Sequence, residues 1–174
     1  VSVIDHAGRL LALGEVGFPF ELSTTDLSTV GPYDFAGQLK TWMTAHPKLD
    51  PVTGEMLMFG YGIEAPFLTF HRVDPTGALT RSVPIDLPAS VMMHDLQITA
   101  TKVVFMDLPI VFDLNLAIAG SPFPFRWDPS TGARLGVMPR DGGSTDVIWM
   151  DIDPCFIFHT MNAHDDASGN VVLE

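Results

Sequence analysis

The sequence has very little cysteine: Cys155 is the only one among its 174 residues. A single cysteine cannot form an internal disulfide, which excludes a small extracellular fold held together by such bridges. A chain of this length can instead bury a hydrophobic core of its own. We therefore expect a folded protein of a reducing compartment, and specifically a cytoplasmic location.

Positive charge is also scarce, since nine Lys and Arg stand against 21 Asp and Glu, giving a formal net charge of −12. Proteins bind phosphate backbones through clusters of Lys and Arg, so this composition argues against a nucleic-acid partner. It argues equally against electrostatic attraction to anionic lipid. Apolar contact with a membrane stays open.

Long apolar runs and long helical patterns are missing as well. No segment reaches the roughly 18 consecutive apolar residues of a membrane-spanning helix, and the most apolar one, residues 103–125, is interrupted by Asp107, Asp113 and several prolines. No segment has a sustained 3.6-residue apolar period, which predicts a low helix content. The local metal-binding patterns CxxC and HExxH are absent too.

Glycine and proline are abundant, with 15 and 14 residues respectively. Five segments begin with Asp, end with Gly and precede a short β-rich run: residues 5–8, 50–54, 74–77, 128–132 and 165–169. Asp caps such a turn and Gly adopts the positive φ that closes it, so we expect each segment to connect a β-hairpin. Apolar, strand-like runs lie between them, at residues 67–70, 103–106 and 155–158.

Recurrent hairpins predict an all-β fold made of small antiparallel sheets. This pattern is typical of a β-propeller, in which a blade has four strands and about 40 residues, so three to four blades fit in the chain. A β-sandwich is the alternative. No linker or low-complexity tract divides the sequence, so residues 1–174 are expected to form one domain. The chain lacks an initiator Met and ends within a strand-like run, from which we expect an internal fragment of a longer propeller.

Three of the six histidines have a similar context, because His46, His94 and His159 each follow an apolar run. Their separations are on the scale of one propeller blade. One histidine on the innermost strand of each blade would direct all three at the axis, where neutral imidazoles can bind a metal. Buried histidines that hydrogen-bond to backbone carbonyls are the alternative, which spacing alone favours. His6 and His71 are expected to be ordinary surface or strand-end residues, and His164, at the start of a turn, is not expected to belong to a site.

The segments around the three histidines resemble the motifs of the carotenoid cleavage oxygenases, a family that includes lignostilbene dioxygenases and the retinal-pigment-epithelium isomerase. The first is MTAHPKLDPVTGE at residues 43–55, and the second is MMHDLQIT at 92–99, followed by VFMDLP at 104–109. RLGVMPR at 134–140 precedes the third, FHTMNA at 158–163. The four matches occur in the family's order and cover nearly the whole chain.

The resemblance implies a seven-bladed β-propeller with Fe(II) on its axis, held by four histidines and no carboxylate. His46, His94 and His159 match three of these ligands, and we expect the fourth to lie outside residues 1–174. Glu15 aligns with a family glutamate that accepts a hydrogen bond from the second histidine, which here is His94, and so orients that ligand. Without the resemblance, Glu15 could equally be an exposed charge on an edge strand.

The resemblance also implies an activity, the cleavage of one C=C bond of a conjugated substrate by O₂ to give two carbonyl products. Stilbene-cleaving relatives carry Lys immediately before the glutamate, where this chain has Gly14, so a carotenoid or apocarotenoid is the expected substrate and a stilbene the alternative. Isomerisation at the same iron and a non-catalytic binding propeller also stay open. Because polyenes reside in membranes, we expect peripheral membrane contact of the full-length protein, and no activity from a fragment that lacks the fourth histidine.

Overall fold

The computed structural model covers all 174 residues and consists mainly of short antiparallel strands. Two sheets of four strands follow each other along the chain, and in both the strands are hydrogen-bonded in sequence order. The first sheet contains β1 (Ser2–His6), β2 (Arg9–Leu13), β3 (Phe20–Leu22) and β4 (Thr29–Pro32). The second contains β5 (Lys48–Leu49), β6 (Met56–Tyr61), β7 (Leu68–Val73) and β8 (Leu79–Ile85).

A third four-stranded sheet is interrupted by an insertion. The sheet begins with β9 (Gln97–Ile98) and β10 (Lys102–Asp107), and the insertion comprises β11 (Ile110–Phe112), the helix α1 (Leu114–Ile118) and β12 (Phe125–Trp127). The sheet then continues with β13 (Ala133–Pro139), which pairs with β10, and ends with β14 (Ile148–Ile152). A last hairpin is formed by β15 (Ala163–Asp165) and β16 (Val171–Leu173).

This succession confirms the predicted all-β propeller, as three blades and the hairpin that begins another. The low helix content is likewise confirmed, because α1 is the single α-helix and has five residues. None of the helical segments is long and apolar enough to cross a membrane.

The strand β6 explains how the blades pack, because every one of its residues is buried. Alternate side chains of a strand point to opposite faces of the sheet. Met56 and Met58 accordingly join a core shared with the first sheet, while Leu57 and Phe59 join a core shared with the third. A continuous apolar run at this position therefore indicates a strand in the middle blade, covered on both faces.

The turn predictions are confirmed at four segments and wrong at one. Residues 5–8, 50–54, 74–77 and 165–169 each connect two paired strands. Residues 128–132 instead link β12 to β13, which belong to different sheets. Here β12 pairs back onto β11, so the segment leaves the insertion and returns to the main sheet. Its Asp128 still caps the turn, accepting a hydrogen bond from the backbone N–H of Ser130.

Two of the three strand-like runs lie on strands, β7 and β10, but residues 155–158 do not. This run carries the chain from β14, at one edge of the third sheet, to β15, the first strand of the next. The runs before His46 and His94 are irregular for the same reason. Each connects the last strand of one sheet to the first strand of the next and lies largely between blades, which accounts for its apolar composition.

Candidate metal centre

The three predicted ligands occupy equivalent places in the fold. His46, His94 and His159 each lie in the connection that enters a new sheet, shortly before β5, β9 and β15. They were expected on the innermost strands themselves, and the structure corrects this by a few residues. Each histidine thus precedes the first strand of a sheet at an equivalent position, and this repeated arrangement brings the three imidazoles close together.

The geometry of this histidine cluster is compact. One nitrogen from each ring lies within 4.8 Å of the other two, and the ring centroids are 4.5, 4.6 and 4.9 Å apart. Three bonds of about 2.1 Å from one ion, at angles of about 90–120°, place the bonded nitrogens about 3–3.6 Å apart. Each ring would therefore have to move by about an ångström or less to share one ion.

The surroundings of His46 favour the protonation state that metal binding requires. Burial, followed by the neighbouring His94 ring, lowers the pKa of His46 to about 4. The imidazole of His46 is therefore neutral near pH 7 and keeps a lone pair for a cation.

Glu15 lies in the bend directly after β2, and its Oε2 is 3.1 Å from Nδ1 of His94. The distance is that of a hydrogen bond, but the ring N–H is not aimed at the carboxylate, and Nδ1 has no other partner. A small rotation of the ring would direct the N–H at the carboxylate. Since β2 is paired on both sides, Glu15 is not an edge-strand charge. With Nδ1 facing Glu15, Nε2 is left for a metal.

Asp95 is a neighbour of the cluster that the sequence analysis missed. Its side chain is almost fully buried, with Oδ2 3.3 Å from Nδ1 of His159 and Oδ1 2.7 Å from Nζ of Lys48. Asp95 thus occupies the same position relative to His159 as Glu15 does relative to His94. The only signal in the sequence was its place directly after His94 in the second motif.

The hydroxyl of Thr44 was also missed, although it connects two of the histidine-bearing segments. Its Oγ1 accepts a hydrogen bond from the backbone N–H of His46 at 3.1 Å and lies 3.4 Å from the backbone carbonyl of His94, to which it donates. Thr44 is fully buried. The two ligand positions are therefore held in register by one side chain.

The other histidines lie away from the cluster. His6 is the last residue of β1, a strand-end position as expected, whereas His71 lies inside β7 rather than at its end. His71 is buried within β7 between the hydroxyls of Thr41 and Ser82, and His6 is buried against the backbone carbonyl of Gly54. His164 is exposed on β15. Both buried histidines follow the alternative considered for the whole set, in which burial is compensated by local hydrogen bonds.

These residues fit a divalent transition metal. Three imidazoles suit such ions, no thiolate is present, and carboxylates lie at the distal nitrogens of two rings, where they fix ligand orientation. Three protein ligands leave further coordination positions free.

Comparison with known proteins identifies the family. The family described as retinal pigment epithelial membrane protein, which is that of the carotenoid cleavage oxygenases, matches residues 1–174. The chain belongs to the carotenoid cleavage oxygenase family. Its sheets are accordingly blades of the family's seven-bladed propeller.

Relatives with different substrates in their names are about as similar as one another to this chain. The carotenoid 9,10(9',10')-cleavage dioxygenase of Crocus sativus is 40% identical over 176 residues, covering 99% of this chain and 32% of the relative. Resveratrol cleavage oxygenase 1 of Aspergillus fumigatus is 40% identical over 178 residues, covering 99% and 36%. The solved structure of Pseudomonas brassicacearum lignostilbene dioxygenase superposes with a TM-score of 0.89 at 38% identity, covering 98% and 36%. The chain thus spans about a third of these relatives' length.

Proposed function

We propose that the full-length protein is a non-haem Fe(II) dioxygenase. It splits one C=C bond of a carotenoid or apocarotenoid with O₂, and each of the two carbonyl products receives one oxygen atom. The observation that carries the proposal is the convergence of His46, His94 and His159 within 4.8 Å in a chain of this family. The reaction is balanced by substrate and O₂ alone, so it needs no acid–base residue.

Five residues of the chain would bind the metal or orient its ligands. His46, His94 and His159 hold the metal, while Glu15 and Asp95 keep two of the rings oriented. A fourth histidine from outside residues 1–174 completes the set. Iron held by neutral imidazoles supplies the redox chemistry that allows O₂ to react with an alkene.

The preference for a polyene over a stilbene rests on Gly14, because sequence identity to the two kinds of relative is the same. The family resemblance implies that stilbene-cleaving relatives have Lys at this place. A Cβ added at Gly14 would meet only the backbone oxygen of Val16, at an ordinary 3.4 Å. The position therefore has room for a side chain, and the lack of Lys removes a phenol-binding group without any steric requirement for glycine.

The test is product analysis of the full-length protein, reconstituted with Fe(II) and supplied with ¹⁸O₂ and either an apocarotenoid or resveratrol. We expect shortened carbonyl products from the apocarotenoid, both labelled, and no cleavage of resveratrol. Cleavage of resveratrol alone would support the stilbene alternative. Products with an unchanged carbon count would indicate isomerisation, and iron binding without conversion would indicate a binding propeller.

A substitution sharpens this test. Gly14→Lys should introduce measurable resveratrol cleavage, because it restores an ammonium group immediately before Glu15. Val16→Lys is the matched control, since it adds the same charge two residues away at an exposed position. Equal gain of stilbene cleavage in both variants would contradict the role given to Gly14.

We further propose that the protein is cytoplasmic and contacts a membrane peripherally to collect its apolar substrate. The insertion after β10 supports this, because α1 has no buried residue and Ile118 is 77% exposed, with Leu114, Phe123 and Trp127 also exposed nearby. Exposed apolar side chains within one short insertion of the chain are suited to contact with a bilayer surface. No such surface was expected within this chain from the sequence.

Sedimentation of the full-length protein with neutral phosphatidylcholine vesicles tests the membrane contact. Ile118→Asp should reduce the bound fraction several-fold, since a charge opposes burial in the acyl region. Val52→Asp provides the control, because Val52 is an equally apolar, exposed residue of the turn between β5 and β6. Identical binding of both variants and the wild type would contradict the assignment.

A further inference from the structure

The carboxylate of Glu15 has a second partner besides His94. The phenol of Tyr61 donates a hydrogen bond of 2.9 Å to Oε1 of Glu15, while Oε2 of the same group lies 3.1 Å from Nδ1 of His94. Tyr61 is the last residue of β6. Three blades therefore meet through this chain of contacts: the second supplies Tyr61, the first Glu15 and the third His94.

Tyr61 is held far more firmly than Glu15. It is 7% exposed and packs in the core between the second and third sheets, and its backbone pairs with Leu68 of β7. The side chain of Glu15 is 27% exposed and extends from a bend outside any strand. A carboxylate in such a bend has several accessible rotamers unless its oxygens are engaged.

The direction of the hydrogen bond is fixed. Burial, followed by the charge of Glu15, raises the pKa of the Tyr61 phenol far above its usual range. The phenol stays protonated and donates, so one oxygen of Glu15 is bound and the other is free to face His94. The contact thus selects a rotamer of Glu15.

We propose that Tyr61 is a positioning residue of the metal centre, which fixes the Glu15 carboxylate so that it orients the imidazole of His94. The inference rests on the proposed metal-binding function. Tyr61 does not contact a metal ligand itself and acts on His94 only through Glu15.

The experiment measures Co(II) loss from the full-length protein to an excess of chelator, together with the visible absorption of bound Co(II). Glu15→Gln should weaken metal binding by about 10- to 100-fold, the usual effect of removing a partner of a ligating histidine. Tyr61→Phe, which keeps the ring and its packing, should accelerate Co(II) loss by about 3- to 10-fold. In the Glu15→Gln background, the same substitution should change the rate by less than about twofold, because the coupled partner is already altered.

The other tyrosine of the chain provides the control. Tyr33 packs against Phe35 and Arg9 in the first sheet, so Tyr33→Phe should leave Co(II) loss unchanged. An unchanged rate in Tyr61→Phe would overturn the positioning role. The same factor in both backgrounds would also overturn it, because it would reflect packing rather than an effect through Glu15. If the wild-type protein binds no Co(II), the proposed metal centre itself fails, and this role fails with it.

Discussion

The buried histidine of β7 predicts a specific dependence of stability on pH. His71 is 1% exposed, with Nε2 2.8 Å from Oγ1 of Thr41 and Nδ1 2.8 Å from Oγ of Ser82. Thr41 donates its own proton to the backbone carbonyl of Trp42, so its oxygen accepts from Nε2–H. Ser82 then donates to Nδ1. This network accommodates a neutral imidazole with its proton on Nε2, and burial lowers the pKa of His71 to about 4.

The sign and size of the effect follow from linkage. In the unfolded chain the pKa of a histidine is about 6.5, so as the pH falls the unfolded state takes up a proton before the folded state does. The free energy of unfolding contributed by His71 is complete above pH 6.5 and is lost as the pH falls toward 4. The full loss is about 3 kcal/mol, of which about 2 kcal/mol falls between pH 7 and pH 5.

The assay is urea denaturation of the full-length protein at pH 7 and pH 5, for the wild type and for His71→Asn. The variant has no titrating group at this position, so its stability should fall by about 2 kcal/mol less over this interval. Effects of His46 and other groups are common to both proteins and cancel. His164→Asn is the control, since it removes an exposed histidine. Equal losses in the wild type and His71→Asn would refute the reasoning.

Three further predictions concern the contacts between blades. Thr44→Val leaves the backbone N–H of His46 and the carbonyl of His94 without the Thr44 hydroxyl, so it should lower the free energy of unfolding by about 1–3 kcal/mol. The same substitution should weaken Co(II) binding, and unchanged metal affinity would contradict the linking role of Thr44. The guanidinium of Arg140 binds Asp50 and lowers the pKa of that carboxyl to about 2. In urea denaturation, Arg140→Met should lower the free energy of unfolding by about 3 kcal/mol, because it leaves the Asp50 charge buried and unpaired. The double variant with Asp50→Asn should lose less, because it has no unpaired buried charge. Residues 1–174 expressed alone should aggregate and be inactive, since β14 exposes Ile148 and Met150; cooperative unfolding of this piece in solution would contradict that expectation.

The sequence predicted what depends on local chemistry. Segments such as 50–54 and 74–77 form their turns because Asp and Gly specify them independently of the rest of the chain. The histidine cluster could be proposed for a different reason: the motifs around His46, His94 and His159 carry the family's pattern. Spacing alone favoured structural histidines, and His71 and His6 are indeed of that kind.

The connections and side-chain contacts between blades could not be predicted from the sequence. Residues 155–158 have the composition of a strand, but they lie in the connection between β14 and β15 and have no strand to pair with. The contacts of Asp95 with Lys48 and of Tyr61 with Glu15 each join residues more than 40 positions apart in the chain. No local pattern encodes such pairs, because they arise only when one blade packs against the next.

The central claim is that His46, His94 and His159 bind one catalytic metal ion. Anomalous diffraction at the iron edge, from crystals of the full-length protein loaded with Fe(II), tests it most directly. We predict one peak bonded to Nε2 of all three histidines at about 2.1 Å, with Glu15 and Asp95 at the distal nitrogens of His94 and His159. Iron bound elsewhere in the crystal, with no peak among these three rings, would contradict the claim.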